Sequence, residues 1–318
     1  MVILINTLNL NVPVISTEMR LKMNFQIVSD GACDLLPEYT AEHNITIVPF
    51  YVTFDGETYT KEGEGIDHDT FYLKMINEHA IPKSSLPSVQ DYMDKFNPFV
   101  DSDIPVICIT ITTKFSGSYN SACTARDMIL ENNPDAKIAV INSTLNTASE
   151  ALFVHEAVKL RDNDISFEKA VEELEQLKTS GRIYFTVGSM EYLVKNGRIG
   201  KLAVLAGDKL GIRPTIIMKD GDISLGGISR SRKKSLVSVI SSIESYFKEP
   251  GIHEDDYNFV VACGYGIDEA KEFQKQLEDT LGIKCDDNVK VRIGTTIGCH
   301  TGPYALGAAI IKKSTICG

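Results

Sequence analysis

The apolar residues of this chain fall into short β-branched runs that alternate with longer segments of helical spacing. Residues 106–111 form such a run, bracketed by Pro105 and by hydroxyl residues, which is typical of a buried parallel strand. Runs at 25–29 and 137–141 are also followed by helical segments. The alternation predicts an α/β fold whose first domain, residues 24–180, contains a mainly parallel, doubly wound sheet.

Two parts of the chain depart from this alternation. The apolar run at 45–54 is followed by the hairpin signal Asp55-Gly56, which predicts a small β appendage near residues 50–66. In the second half, hairpin signals are mixed with helices, and a further strand is predicted at 289–293. This mixture predicts an α+β second domain over residues 181–318.

The first 23 residues precede the regular pattern and are predicted to be an N-terminal extension of unknown role. They contain no Lys or Arg before Arg20, and Asn6, Asn9 and Asn11 interrupt their apolar residues, so they make a poor secretory signal. No run of 18 or more apolar residues occurs elsewhere. We therefore expect a cytoplasmic protein without stable membrane insertion.

Composition and charge narrow the class of function. A content of 43% hydrophobic and 24% charged residues is ordinary for a globular protein, and the formal net charge of −11 argues against general nucleic-acid binding. The seven cysteines lie far apart without a Cys-x-x-Cys pair, which suggests a reducing compartment and no zinc site. No spacing of His or carboxylates suggests another metal, so no metal or cofactor is expected.

Residues 191–234 form a local exception to the negative charge, with ten Lys or Arg against four Asp or Glu. A solvated helix surface explains such a run in many proteins. Arginines on glycine-rich or extended backbone also suit recognition of carboxylate, phosphate or a protein partner, and both interpretations stay open. The basic residues are Lys195, Arg198, Lys201, Lys209, Arg213, Lys219, Arg230, Arg232, Lys233 and Lys234; the acids are Glu191, Asp208, Asp220 and Asp222.

The turn after the 106–111 strand is a candidate anion site. Ser116, Gly117 and Ser118 supply a hydroxyl that can cap free amides and a glycine that lets the backbone approach a ligand. The first-turn amides of the following helix are unpaired, and its dipole favours a negative group. The alternative is an ordinary cap, which every strand-to-helix turn needs.

Two further polar elements are candidates for the same chemistry. Pro82 and Pro87 fix an extended loop that carries Ser84, whose hydroxyl can donate to a carboxylate or phosphate, although such a loop can also be a mere connector. His300 lies on a glycine-rich turn, where it can bond an anion, transfer a proton or simply cap the turn. P-loop, dinucleotide-loop and Gly-x-Ser-x-Gly motifs are absent, so the sequence offers no clear catalytic machinery.

Taken in order, five segments resemble the DegV family of bacterial fatty-acid-binding proteins, and together they cover the chain from about residue 24 to its end. The resemblance implies a two-domain DegV-like fold and a carrier rather than an enzyme. The segments are Val28-Ser29-Asp30-Gly31-Ala32-Cys33-Asp34-Leu35, Lys83-Ser84-Ser85-Leu86-Pro87-Ser88, Phe115-Ser116-Gly117-Ser118-Tyr119-Asn120-Ser121-Ala122, Tyr192-Leu193-Val194-Lys195-Asn196-Gly197-Arg198-Ile199 and His300-Thr301-Gly302-Pro303.

The resemblance also implies a ligand, its site and a partner. A long-chain fatty acid would bury its tail in the second domain, and Ser84, Ser116 and Gly117 would hold its carboxylate at the domain interface. Arg198, Arg230 and His300 would surround the head group, where a separate fatty acid kinase would convert the acid to an acyl phosphate. This sequence has Ser at 84 where the family more often has Thr, and Leu at 86 where Gln is common, which leaves chain preference and kinase pairing open.

Two alternative functions remain at this point. A hydrolase or phosphoryl-transfer enzyme would use Ser116 and His300 on a small anionic substrate, although no base-and-orienter pair is recognisable in the sequence. A regulatory protein would instead dock through the basic residues, with its lipid merely structural.

Overall fold

The computed structural model describes residues 24–205 and 211–316, in which helices and strands alternate along the chain. The strands are β1 (Gln26–Asp30), β2 (Ile45–Val48), β3 (Tyr51–Thr53), β4 (Thr60–Lys61), β5 (Lys83–Ser85), β6 (Val106–Thr110), β7 (Ile138–Asn142), β8 (Arg182–Thr186), β9 (Arg213–Lys219), β10 (Asp222–Ser229), β11 (Tyr257–Cys263) and β12 (Leu306–Lys312). The α-helices are α1 (Pro37–Glu42), α2 (His68–Asn77), α3 (Val89–Val100), α4 (Ser118–Asn132), α5 (Thr147–Asp162), α6 (Phe167–Leu177), α7 (Glu191–Lys195), α8 (Arg232–Phe247), α9 (Ile267–Leu281) and α10 (Thr295–Thr301).

The first sheet is parallel throughout, with the strand order β2-β1-β6-β7. Every residue of β1 and β6 is buried, because helices cover both faces of the sheet. On one face Ile27 and Ile107 pack in the core that includes α5, and on the other Val28 and Cys108 pack under α3 and α4. The predicted parallel, doubly wound sheet is confirmed.

A small antiparallel sheet, ordered β4-β3-β5, lies outside the parallel one. β3 pairs with β4 after the Asp55-Gly56 turn, as Tyr51 opposite Lys61 shows, and on its other side Val52 lies opposite Ser84. The segment predicted as a stiff loop around Ser84 is therefore an edge strand. This pairing fixes the position of the Ser84 hydroxyl.

The second sheet is antiparallel and has the order β10-β9-β8-β12-β11. The apolar segment near the end of the chain forms β12, which lies between β8 and β11. Gly307 of β12 has no room for a side chain, since an added Cβ would lie 2.2 Å from the Tyr184 carbonyl oxygen and 2.4 Å from Phe185 Cβ. Helices α8 and α9 cover the outer face of this sheet, where Val239, Phe273 and their neighbours form a second core.

Helix α5 lies between the two sheets and is buried on nearly every side, with 13 of its 16 residues buried. One continuous core joins Ile27 of the first sheet to Leu152 of α5 and Ile216 and Ile311 of the second sheet. A helix buried on nearly every side requires such a sandwiched position, even though α5 also buries Ser149, Glu150 and Glu156. The predicted division into domains after residue 180 stays a prediction.

The strand predicted at 289–293 is wrong. This segment makes one isolated bridge, between Leu35 and Val291, and its other backbone bonds run to Leu36, Asp34, Cys263 and the preceding Asp286. Its β-propensity is real, but no continuous partner strand runs beside it, so no ladder forms. Helix α10 follows immediately, where the sequence had suggested only a glycine-rich turn.

Candidate functional site

A cavity of about 470 Å³ lies where β5, the loop before α4, α7 and α10 meet the inner face of the second sheet. Ser84, Ser116, Gly117, Arg198 and His300, all singled out from the sequence, line it together. The other lining residues are Phe50, Ser85, Leu86, Ile111, Thr113, Lys114, Phe115, Asn120, Asn146, Phe185, Leu193, Gly197, Met218, Ile223, Thr296, Ile297 and Thr301.

Arg230 does not line this cavity. It is exposed directly after β10 and makes no hydrogen bond or ion pair with the rest of the described chain. It therefore remains available on the surface.

Ser84 and His300 form the central polar pair of the cavity, with Ser84 Oγ 3.0 Å from His300 Nε2. The donor in this bond depends on the tautomer of the imidazole ring. Burial, together with the charge of Arg198, lowers the pKa of His300 to about 4, so the ring is neutral at pH 7. Nδ1 of His300 has no hydrogen-bond partner among the described residues.

The start of α4 forms the second polar wall. Gly117 is the N-cap and offers no side chain to the first-turn amides, while Ser116 Oγ accepts a hydrogen bond of 3.2 Å from the Ser118 amide. Leu86 lies beside this turn, because a Cβ added to Gly117 would meet Leu86 Cδ2 at 3.5 Å. The helix N-terminus, with its positive dipole end, thus borders the same cavity as Ser84 and His300.

Arg198 connects three of the elements that form the cavity. Its Nε donates to the Phe115 carbonyl oxygen at 3.1 Å, and one terminal nitrogen donates to the Asn196 carbonyl oxygen at 2.8 Å. The Asn196 side chain in turn donates to the Cys299 carbonyl oxygen in α10 at 2.8 Å. The guanidinium is exposed and lies at the cavity wall, so it places positive charge near the hydroxyls without being buried.

Much of the basic stretch is neutralised locally. Lys195 pairs with Glu191, Lys201 with Asp222, and Lys219 approaches Asp220 at 4.0 Å. The guanidinium of Arg232 makes a bidentate pair with Glu269, and Arg213 donates to the Gly188 carbonyl oxygen. Lys209 lies outside the described residues. Within the described part of the stretch, Arg198, Arg213, Arg230, Lys233 and Lys234 keep charges that no ion pair neutralises.

The opposite wall of the cavity is apolar. Phe185, Met218 and Ile223 come from β8, β9 and β10, and Leu193 comes from α7. Polar groups from loops and helix ends therefore face aliphatic and aromatic groups from the second sheet. Such a division suits an amphipathic ligand with one anionic end.

A second, narrow cavity of about 40 Å³ adjoins the first. The two share Asn146, Phe185, Ile297 and Thr301. Apart from Asn146, Thr147 and Thr301, the side chains around the second cavity are apolar. These apolar side chains come from β8, β11, β12, α5, α10 and the segments on either side of α10.

Asp30, at the end of β1, holds the anion-site turn in place. One of its carboxylate oxygens accepts from the Ala32 amide, and the other accepts from the Ile111 amide at 3.0 Å and the Ser118 hydroxyl at 2.7 Å. Ser118 Oγ is also 2.6 Å from the Tyr92 hydroxyl. Burial raises the pKa of Asp30 to about 7, even though these hydrogen bonds act in the opposite direction.

Three more carboxyl groups lie near Asp30, at the junction of the sheets. Glu62 accepts from the Thr295 hydroxyl and from the amide and hydroxyl of Thr296, so it caps α10, which carries His300. Neither carboxylate oxygen of Asp34 or Glu150 has a hydrogen-bond partner in the described ranges. Burial raises the pKa of all three, and neighbouring carboxylates raise those of Asp34 and Glu150 further.

Sequence reasoning missed several of these residues. Lys114 is exposed on the cavity wall beside the predicted anion site, but a lone lysine before a helix cap gives no separate signal. In the sequence, Phe185 cannot be distinguished from an ordinary strand residue. Glu62 is distant in sequence from the helix that it caps, so only tertiary structure reveals its contact.

Neither a metal centre nor a membrane span is found in the described ranges. Across 24–205 and 211–316 no three His, Cys, Asp or Glu side chains are grouped so as to hold a metal ion. No helix within these ranges is long and apolar enough to cross a membrane.

Comparison with known proteins gives consistent matches over nearly the whole chain. The family model described as "Uncharacterised protein, DegV family" matches residues 24–313. The DegV domain-containing protein YteA of Lactococcus lactis is 30% identical over 92% of this chain and 99% of its own length.

Solved structures show the same fold. A stearic-acid-binding protein from Eubacterium ventriosum is 47% identical, with a TM-score of 0.88 over 92% of this chain and 99% of its own. A DegV family protein from Thermus thermophilus, 22% identical, has a TM-score of 0.81 over 91% of this chain and 99% of its own and supports the fold alone.

Proposed function

Because the chain belongs to the DegV family, we propose that it binds one long-chain fatty acid. The carboxylate is held by Ser84, Ser116 and the amides after Gly117, and the tail lies along the inner face of the second sheet, within the domain predicted at 181–318. The observation that carries this proposal is that hydroxyls and a helix N-terminus face an apolar wall within one cavity. The stearic-acid-binding protein that is 47% identical supports it.

The energetics favour an acyl chain over a small anion. Burying a methylene group contributes about 0.8 kcal/mol, so a chain of about sixteen carbons binds tightly even if the head group makes few contacts. His300 is neutral at pH 7 and contributes a hydrogen bond rather than a charge. The positive charges near the carboxylate are the N-terminal end of the α4 dipole and the exposed side chains of Arg198 and Lys114.

The same geometry favours a carrier over the hydrolase or phosphoryl-transfer alternative. His300 bonds Ser84 rather than Ser116, and its low pKa makes it a weak base at neutral pH. A catalytic serine pair also needs a third group that orients the imidazole, and Nδ1 of His300 has no partner within the described chain. We therefore assign these groups to ligand binding.

We further propose that the bound carboxylate is presented to a separate fatty acid kinase, which forms the acyl phosphate. The head-group end of the cavity is bordered by the exposed Lys114 and Arg198, so a partner can approach it there. Arg230 carries a free charge outside the cavity and suits docking rather than ligand binding. Charges of this kind act mainly on the association rate.

Organic extraction of the purified protein should release one long-chain fatty acid per chain, identified by mass spectrometry. Delipidated protein should rebind the same acid with the same stoichiometry. If neither extraction nor incubation with C14 to C20 acids gives a bound fatty acid, the carrier proposal is wrong.

Arg230→Glu should lower acyl phosphate formation by a partner kinase about tenfold at low salt, because a docking charge is reversed. Fatty-acid affinity should stay unchanged, since Arg230 does not line the cavity. Lys169→Glu, which reverses an exposed positive charge on α6, is the matched control and should change neither quantity. Equal kinase rates for Arg230→Glu and the parent would remove Arg230 from the docking surface.

A further inference from the structure

Phe185 is the aromatic side chain shared by the two adjoining cavities. It lies on β8, opposite Ile216 of β9 on one side and Gly307 of β12 on the other. An added Cβ on Gly307 would lie 2.4 Å from Phe185 Cβ. Phe185 therefore fits here because residue 307 has no side chain. Phe185 is only partly buried, whereas its strand neighbours Tyr184 and Thr186 are buried.

The second cavity extends the apolar wall of the first beyond Phe185. Ile183, Ala262 and Ala305 are among its lining residues, and all three are buried. Its volume of about 40 Å³ corresponds to room for about three water-sized groups. An apolar space of that size accepts a few methylene groups more readily than water.

We propose that Phe185 sets the length of the acyl chain that this protein accepts. It ends the compartment for the tail in the main cavity, and its removal opens the second cavity to the last carbons of a longer chain. This inference rests on the proposed fatty-acid binding and adds the residue that determines specificity. Each further buried methylene is worth about fourfold in affinity, which corresponds to about 0.8 kcal/mol.

The test compares dissociation constants for saturated acids from C14 to C22 in delipidated parent and Phe185→Ala. The variant should shift the preferred length upward by at least two carbons and raise the affinity for C20 relative to C16 by about tenfold or more. Leu193→Ala is the matched control, because Leu193 lines only the main cavity. It should weaken binding without the same upward shift.

Filling the second cavity gives the reverse test. Ala305→Leu in the Phe185→Ala background should restore the parent's preference, since it occupies the space that the first substitution opened. If Phe185→Ala does not fold, Phe185→Leu takes its place and should shift the preference in the same direction.

Three results distinguish the possible failures. An unchanged length profile in a folded Phe185 variant that still binds fatty acid overturns the role of Phe185 and leaves fatty-acid binding standing. A double variant that keeps the long-chain preference overturns the role of the second cavity. A parent protein that binds no acid of any length overturns the proposed function itself.

Discussion

Replacing Ser84 and Ser116 together with alanine should lower the affinity for a C16 or C18 fatty acid by about 100-fold or more. A hydrogen bond to a charged acceptor contributes about 1.5–3 kcal/mol, and about 1.4 kcal/mol corresponds to a factor of ten. The two hydroxyls lie on separate elements, β5 and the turn before α4. Each substitution therefore leaves the other hydroxyl in place, and the two losses should add. Isothermal titration with delipidated protein measures the loss.

Two controls separate the head group from the tail. Ser84→Thr keeps the hydroxyl and should bind within a few-fold of the parent. The loss in the double variant should be similar for C14 and C18 acids, since the tail contacts are unchanged, and much smaller for the corresponding fatty alcohols. A double variant that binds fatty acid as well as the parent would show that the carboxylate lies elsewhere.

The second large effect is expected at Asp30, whose contribution to stability should fall as the pH rises. Its folded-state pKa is about 7, raised from 3.8, so the folded protein keeps a proton that the unfolded chain releases. The contribution of this bound proton to the free energy of unfolding is therefore fully present below about pH 4. It is lost as the pH rises to about 7. A shift of about three pKa units corresponds to stability on the order of 4 kcal/mol.

Asp30→Asn should remove this dependence, because the amide does not titrate. The variant should be less stable than the parent at pH 5, where it lacks part of the hydrogen-bond network around Ser118 and Ile111. The deficit should shrink or reverse at pH 8. Urea unfolding of delipidated protein at both pH values gives the two differences.

Other groups near Asp30 must be considered in the same experiment. Asp34, Glu62 and Glu150 have pKa values raised by burial, so they add to the same trend in the parent and remain in the variant. Glu131→Gln, at an exposed carboxyl on α4, is the control and should change stability little and equally at both pH values. Identical pH profiles for parent and Asp30→Asn would contradict the assignment.

Local patterns predicted three of the four strands of the first sheet, but the start of the 45–54 run, assigned to the small β appendage, forms the parallel edge strand β2 instead. The runs that became β6 and β7 are nearly all apolar, because parallel strands covered on both faces have no polar side, whereas β1 also buries Gln26, Ser29 and Asp30. Ser116 and Gly117 were recognised because a helix start has a local signature. The resemblance to the DegV family, based on five short segments, is confirmed.

What the sequence did not reveal depends on contacts distant in the chain. Ser84 and His300 are separated by 216 positions, so their 3.0 Å contact follows from no spacing rule. The segment 289–293 has strand-forming residues but lacks a continuous partner. Phe185 lines a cavity only because Gly307 lies opposite, and the pairing of β8 with β12 was not predicted.

The position of α5 limits how the cavity can open. A hinge motion that separated the two sheets would remove α5 from its contact with one of them. Part of the helix surface would then be exposed, although 13 of its 16 residues are buried in the closed structure. Such an opening costs too much free energy to accompany each exchange of ligand. We therefore expect a fatty acid to enter and leave by displacement of small peripheral elements, such as β5 or α7, while the two sheets move as one body.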